Sequence, residues 1–319
     1  MAEPKKTRIT PFIYMLILIL LPLVPAFSDL RGVFIGLAAG LAFSHLWTRY
    51  AVAFSAVALA IGALTFHGDW YAFGISVLMT VPLCVLLGIA FRTHPRPEAL
   101  LTAGVLTETA ALGGSLALAS LRAGVNVWER FFDQMEEAFS VAADELLSAA
   151  TLPENVDPAQ LRELFVGAVD AYRLRMPFFL LMGALVLFLL FYLVLLFLRR
   201  SFGEKNTPLP PFRYFRMSGP LAAVIGLSLI GQMFIGGTVG VALENLYAFL
   251  TLLSVVAGLA YGTYWLKQKG LPTAARGGIV TVAAILALLI PLVWLALFMI
   301  GLTDAIWNLR AAQFRKRKE

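Results

Sequence analysis

Glu108 is the residue in this sequence best placed to do chemistry. It stands near the middle of the apolar run 99–121, flanked by two hydroxyls in Thr107-Glu108-Thr109. A carboxylate at that depth in hydrocarbon costs several kcal/mol, so it must face protein or water, be paired, or carry a proton. Such a group contacts a substrate, a cation or a proton, with Thr107 and Thr109 as neighbouring hydrogen-bonding groups. A neutral, hydrogen-bonded structural role is the alternative. No other catalytic constellation accompanies it. The chain has no phosphate-binding Gly-rich loop, no Gly-x-Ser-x-Gly, and no His/Cys/carboxylate cluster at metal-ligand spacing. Its three histidines, His45, His67 and His94, lie at or beyond the ends of apolar runs. Cys84 is the single cysteine, so no intrachain disulfide and no thiolate metal site is expected. No cofactor, metal or enzymatic activity is expected on these grounds.

The elements that position Glu108 follow from composition. Sixty per cent of the residues are apolar and 14% are charged, which takes the chain out of the soluble range. Apolar runs approach the roughly 20 residues that cross a bilayer core. Backbone polar groups in hydrocarbon must be paired within the segment, so the runs are helices. The expected fold class is all-α, a polytopic membrane protein. Nine candidate spans are read at 11–27, 32–47, 51–66, 71–91, 99–121, 177–198, 218–236, 240–265 and 278–302. Eight is the alternative count, because Pro22 and Pro25 break the first run and Pro291 divides the last.

Charge gives the orientation. Five groups of basic residues flank the spans: Lys5, Lys6 and Arg8 before the first; Arg49 after the second; Arg92 and Arg96 after the fourth; Arg199, Arg200, Lys205, Arg213 and Arg216 after the sixth; Lys267, Lys269 and Arg276 after the eighth. With simple alternation all five fall on one side, which the positive-inside rule makes cytoplasmic. The net charge of +6 therefore points to anionic lipid and not to nucleic acid. The tail Arg310, Arg315, Lys316, Arg317 and Lys318 breaks the pattern after nine spans. A re-entrant last segment, giving eight, restores it.

One polar segment interrupts the apolar chain. From Glu129 to Asp170 there are ten Asp/Glu against two Arg, a net of −8, which leaves +14 for the rest. Val127, Trp128, Phe131, Phe132, Met135, Phe139, Ala142 and Leu146 recur at helical spacing, and Leu161, Leu164, Phe165, Ala168, Val169 and Tyr172 repeat the pattern after a proline-bearing turn. The turn holds Asp157 as an expected N-cap before Pro158. An extracytoplasmic amphipathic hairpin is expected, either capping a cavity or presenting a surface to a partner. Its acidic polar face argues against lipid adsorption, which favours Lys and Arg there. The expected organisation is an N-terminal membrane bundle at 1–122, the hairpin at 123–176 and a C-terminal membrane bundle with a basic tail at 177–319.

Small residues recur every four positions in two runs: Gly32, Gly36, Gly40 and Ser44, then Ser254, Gly258 and Gly262. Such stripes let helix backbones come together, either inside the protein or against another membrane subunit.

Particular motifs carry a family resemblance. Pro210-Pro-Phe-Arg-Tyr-Phe-Arg216 precedes a span, Asn245 opens the next, and Leu266-Lys-Gln-Lys-Gly-Leu-Pro272 follows it. The run Gly301-Leu-Thr-Asp-Ala-Ile-Trp-Asn-Leu-Arg310 ends the apolar chain, and Arg175-Met-Pro177 follows the hairpin. Together these resemble the YybS-like bacterial membrane proteins, a family without an assigned activity. That family is similar at the level of fold to the substrate-binding subunits of energy-coupling-factor transporters. The resemblance implies a bacterial inner-membrane protein, and the basic residues put its N-terminus on the cytoplasmic side. It implies six core spans within 11–198 with three appended, a small-molecule substrate, and a coupling subunit docked on Gly32, Gly36, Gly40 and Ser44. A homo-oligomer, and a non-transport scaffold for envelope or division proteins, are the other readings.

Overall fold

The structure is a computed structural model that describes residues 10–149, 158–204 and 206–311. Lys5, Lys6, Arg8, the 151–157 turn with Asp157, Lys205 and the tail beyond Ala311 lie outside those residues. The described chain is helical, with α1 (Thr10–Leu20), α2 (Arg31–His45), α3 (Thr48–Thr65), α4 (Trp70–Thr93), α5 (Pro97–Ala123), α6 (Val127–Ala149), α7 (Pro158–Leu174), α8 (Met176–Ser201), α9 (Gly219–Phe234), α10 (Gly237–Gln268), α11 (Thr273–Leu289) and α12 (Pro291–Trp307).

The expectation of nine spans is corrected. Among the described residues, five helices are long and apolar enough to cross a membrane: α3, α4, α5, α8 and α10. α11 and α12 pass the same test only together, across a bend of 119°. The other candidates fall short for a physical reason. At 1.5 Å per residue, the 15 residues of α2 reach about 22 Å and the 16 of α9 about 24 Å, against a core of about 30 Å. α1 stops at Leu20, where Pro22 and Pro25 divert the chain into 3₁₀ turns at Leu21–Leu23 and Pro25–Leu30. Hydropathy reports the medium around a residue; it does not report whether the helix continues through it.

The residues group into two compact units, 1–174 with 179–208, and 175–178 with 209–319. Most of α8 thus belongs with the first unit, whereas the sequence segmentation begins a separate bundle at 177.

In the first unit α2 packs on α4, with α1 and α3 against α2 and α5 against α4. The Gly32, Gly36, Gly40 stripe faces α4. A Cβ at Gly40 would lie 2.7 Å from the Cys84 carbonyl oxygen, and one at Gly36 would lie 3.0 Å from that of Thr80. The Thr80 hydroxyl donates to the Gly32 carbonyl at 2.8 Å, a polar bond between the two helices where water is excluded. Ser44, the last of the stripe, donates to the Leu41 carbonyl of its own helix at 2.9 Å. α6 and α7 pair as a hairpin and bury Phe132, Ala143 and Val169 between them. The Arg173 guanidinium covers the Phe132 ring at 5.4 Å.

In the second unit α9 and α10 run antiparallel through a turn in which Gly237 takes φ +65°. α12 lies against α10. The Ser254 hydroxyl donates to the Phe298 carbonyl at 3.0 Å, and Gly258 and Gly301 let the two backbones touch. A Cβ at Gly262 would meet no atom of another element within 4 Å.

The path of α11 and α12 matters for topology. α11 starts five residues after α10 ends, through a tight turn at Gly270. α12 ends beside the start of α9, where a Cβ at Gly219 would lie 3.8 Å from the Ala305 carbonyl oxygen, and Arg310 then donates to the carbonyls of Arg213 and Phe215 at 2.6 and 2.8 Å. Residues 213–215 also pack on α10. The α11–α12 pair therefore leaves from one end of the unit and returns to that same end. In a Cys84→Ser background, cysteines at Ala275 and Ala311 should both react with an impermeant maleimide from one side of sealed vesicles. Labelling from opposite sides would show a single crossing instead.

Candidate functional site

α5 buries Leu100, Gly104, Glu108, Ala111 and Ser115, a stripe at four- and three-residue spacing that faces the other helices of the first unit. Gly104 leaves room for the Phe188 ring of α8, one turn below the carboxyl. Phe188 stacks on Tyr192 at 6.4 Å, and Tyr192 stacks on Phe91 of α4 at 5.5 Å and 5°. From α4, the fully buried Cys84 lies within electrostatic reach of Glu108.

Glu108 is 0% exposed, and neither carboxyl oxygen has a hydrogen-bond partner among the described residues. The flanking threonines do not supply one. Thr109 donates to the Val105 carbonyl of its own helix at 2.7 Å, and Thr107 is half-buried without a bond to the carboxyl. An acid enclosed in protein with no counter-charge and no donor is energetically exposed to whatever reaches it. This arrangement suits transient contact with a proton, a cation or a donor group on a small molecule.

A second polar cluster closes one end of the first unit. α8 ends at Ser201, and Gly203 takes φ +85°, so the chain doubles back with Gly203 and Glu204 donating to the carbonyls of Arg200 and Arg199. This turn carries the Glu204 carboxylate onto the Arg199 guanidinium and to 3.0 Å from His45 Nε2. Arg199 also lies 4.8 Å over the Phe91 ring. On the other side of the imidazole, Nδ1 sits 2.6 Å from the Ser44 hydroxyl and 3.1 Å from the Leu41 carbonyl. The sequence suggests an interfacial role for His45 beside Trp47 and Arg49; its carboxylate partner comes from a turn more than 150 residues later and has no local signal.

The second unit holds a buried ion pair that sequence reasoning missed. Asp304 is 0% exposed, and Arg310 Nε approaches its Oδ2 at 3.0 Å. The sequence places Arg310 with the solvated basic tail, but it is only 7% exposed and lies 5.6 and 5.9 Å from the rings of Tyr264 and Tyr261. Burial lowers the guanidinium pKa and the Asp304 carboxylate opposes that shift. Asn245 is another correction. It stands two turns inside α10, not at its start, and its side-chain oxygen accepts from the Phe178 backbone at 3.0 Å. It thereby satisfies one of the free N–H groups that open α8, while Glu244 pairs with Arg175 at 3.3 Å. The only available cue to these roles is a polar residue within an apolar run.

Removing one member of the Asp304–Arg310 pair strands the other. Arg310→Met is expected to lower the stability of the detergent-solubilised protein by about 3–5 kcal/mol, and Asp304→Leu with Arg310→Met to recover most of that loss. Unfolding followed by intrinsic fluorescence measures both. An Arg310→Met protein as stable as the wild type would show that the pair does not hold the fold.

No curated protein and no solved structure matches the chain. A family model described as "Predicted membrane protein (DUF2232)" matches residues 12–305, which takes in both units, Glu108 and Asp304. The chain belongs to this family of membrane proteins.

Proposed function

We propose that the protein is a substrate-binding or transport-associated subunit of the bacterial inner membrane, in keeping with its resemblance to YybS-like proteins and to the substrate-binding subunits of energy-coupling-factor transporters. The observation that carries this reading is Glu108, enclosed at mid-helix with both oxygens unpaired. A residue kept for stability alone is normally hydrogen-bonded, and an intramembrane acid without a partner is the usual mark of a substrate or ion path. Thr109 would join Glu108 only by leaving the Val105 carbonyl, and Thr107 only by turning toward the carboxyl. The substrate is then a small molecule bearing a cationic or hydrogen-bond-donating group.

The same reading gives a topology. α11 and α12 form a re-entrant hairpin, so the basic tail emerges with the Lys267, Lys269 and Arg276 loop on the cytoplasmic side. With α1, α2 and α9 crossing in a locally thinned bilayer, the chain makes eight passes, both termini are cytoplasmic and the α6–α7 hairpin is extracytoplasmic. The Gly32, Gly36, Gly40 stripe faces α4, so a coupling subunit or a second copy of the chain would dock elsewhere.

A scaffold role is the second reading. It is favoured by the hairpin itself, which packs on its own core and leaves Phe131 and Val141 exposed beside its acids. The two readings separate on Glu108. Native mass spectrometry of the purified protein should find a small molecule that Glu108→Gln reduces at least tenfold, with helix content unchanged. Equal recovery from wild type and variant would refute the transport reading.

A further inference from the structure

We infer that the basic end of the second unit is a binding surface for the phosphate headgroups of anionic phospholipids. The surface is built around the turn at 212–214, which Arg310 fixes by donating to the carbonyls of Arg213 and Phe215. Four cations surround that turn and the end of α10. The Arg213 guanidinium lies 4.7 Å over the Tyr214 ring, and Lys269 lies 5.3 Å from the Trp265 ring. Lys267 is close enough to act electrostatically on Tyr214, and Arg216 on Arg310.

None of the four has a carboxylate partner among the described residues. Asp304 is fully buried and paired with Arg310. Arg213 and Arg216 are half-buried, and the Arg213 Nε is buried with no acceptor. Guanidinium groups held in place without a carboxylate partner suit the fork geometry in which phosphate oxygens accept hydrogen bonds. This differs from the corresponding polar cluster of the first unit, where Glu204 neutralises Arg199.

The partner's nature follows from what surrounds the charges. Phe212, Tyr214 and Trp265 are all exposed beside the cations. Aromatic rings with a polar edge, next to Lys and Arg at the ends of apolar helices, match the headgroup level of a bilayer. A free anion would use the cations but leave the rings in water, whereas a lipid covers both. A zwitterionic headgroup brings its own ammonium to a surface that already carries four uncompensated positive charges. The fit is therefore to a lipid with net negative charge, bound by its phosphate.

The full-length protein in mild detergent is titrated with phosphatidylglycerol and, separately, with phosphatidylcholine, and bound lipid is counted by native mass spectrometry. Arg216 and Lys267 are the positions to change, because neither holds the Arg310 contacts and Arg216 repels Arg310. Each lost cation should weaken binding about fivefold. Arg216→Gln with Lys267→Gln is therefore expected to lower phosphatidylglycerol affinity about 25-fold and leave phosphatidylcholine almost unchanged. Arg96→Gln with Arg200→Gln removes the same charge from the first unit and should retain the wild-type preference. Inorganic phosphate at equal concentration should not displace the lipid. Equal affinity for the two lipids, the same loss in both double variants, or displacement by inorganic phosphate would each overturn the assignment.

Discussion

In hydrocarbon, helices gain little by hiding apolar surface from one another, so close backbone approach has to hold them together. This chain depends on that approach at two places. Gly32, Gly36 and Gly40 bring α2 onto α4, and Gly258 and Gly301 bring α10 onto α12. In each case a hydroxyl adds a bond across the contact, from Thr80 in the first unit and Ser254 in the second. The rest is arranged on these contacts. α5 packs on α4 and thereby encloses Glu108, while α12 is carried along α10 to the point where Arg310 reaches the 212–214 turn.

The two units treat buried charge in opposite ways. Asp304, enclosed near one end of its unit, has Arg310 at 3.0 Å, and Arg310 in turn ties the end of α12 to the 212–214 turn through the Arg213 and Phe215 carbonyls. Glu108, enclosed at mid-helix, has no such partner among the described residues. A buried pair fixes a structure; a buried single charge leaves it liable to change when the charge is matched or removed. That contrast is why the functional reading rests on Glu108, although both acids are equally hidden from solvent.

Much of this was legible in the sequence, and what was not has a common cause. Apolar runs identify the helices, and the recurrence of Trp128, Phe132, Met135 and Phe139 identifies the hairpin, because both depend on neighbours within a few turns. The small-residue stripes and Pro291 likewise mark close packing and a break. Glu108 stands out because hydrocarbon makes a lone acid costly. The misses depend on distant residues. Nothing near Arg310 says that it turns back to Asp304 and the 213–215 carbonyls instead of joining the tail. Nothing near His45 announces Glu204. A hydropathy window does not register the 3₁₀ turns after Leu20 or the bend at Ile290, which is why fewer than nine of the described helices are long and apolar enough to span.

On the function proposed above, Glu108 is kept for what it binds and not for what it holds together. Those roles have opposite effects on stability. Replacing a hydrogen-bonded structural acid by an apolar residue strands its partners, whereas replacing an unpaired one removes a desolvation penalty of roughly 1–4 kcal/mol. The most direct measurement is the thermal unfolding midpoint of Glu108→Leu against the wild type, in detergent and without added solutes. An unchanged or higher midpoint is the predicted result. A midpoint several degrees lower would make Glu108 a structural residue and contradict the account.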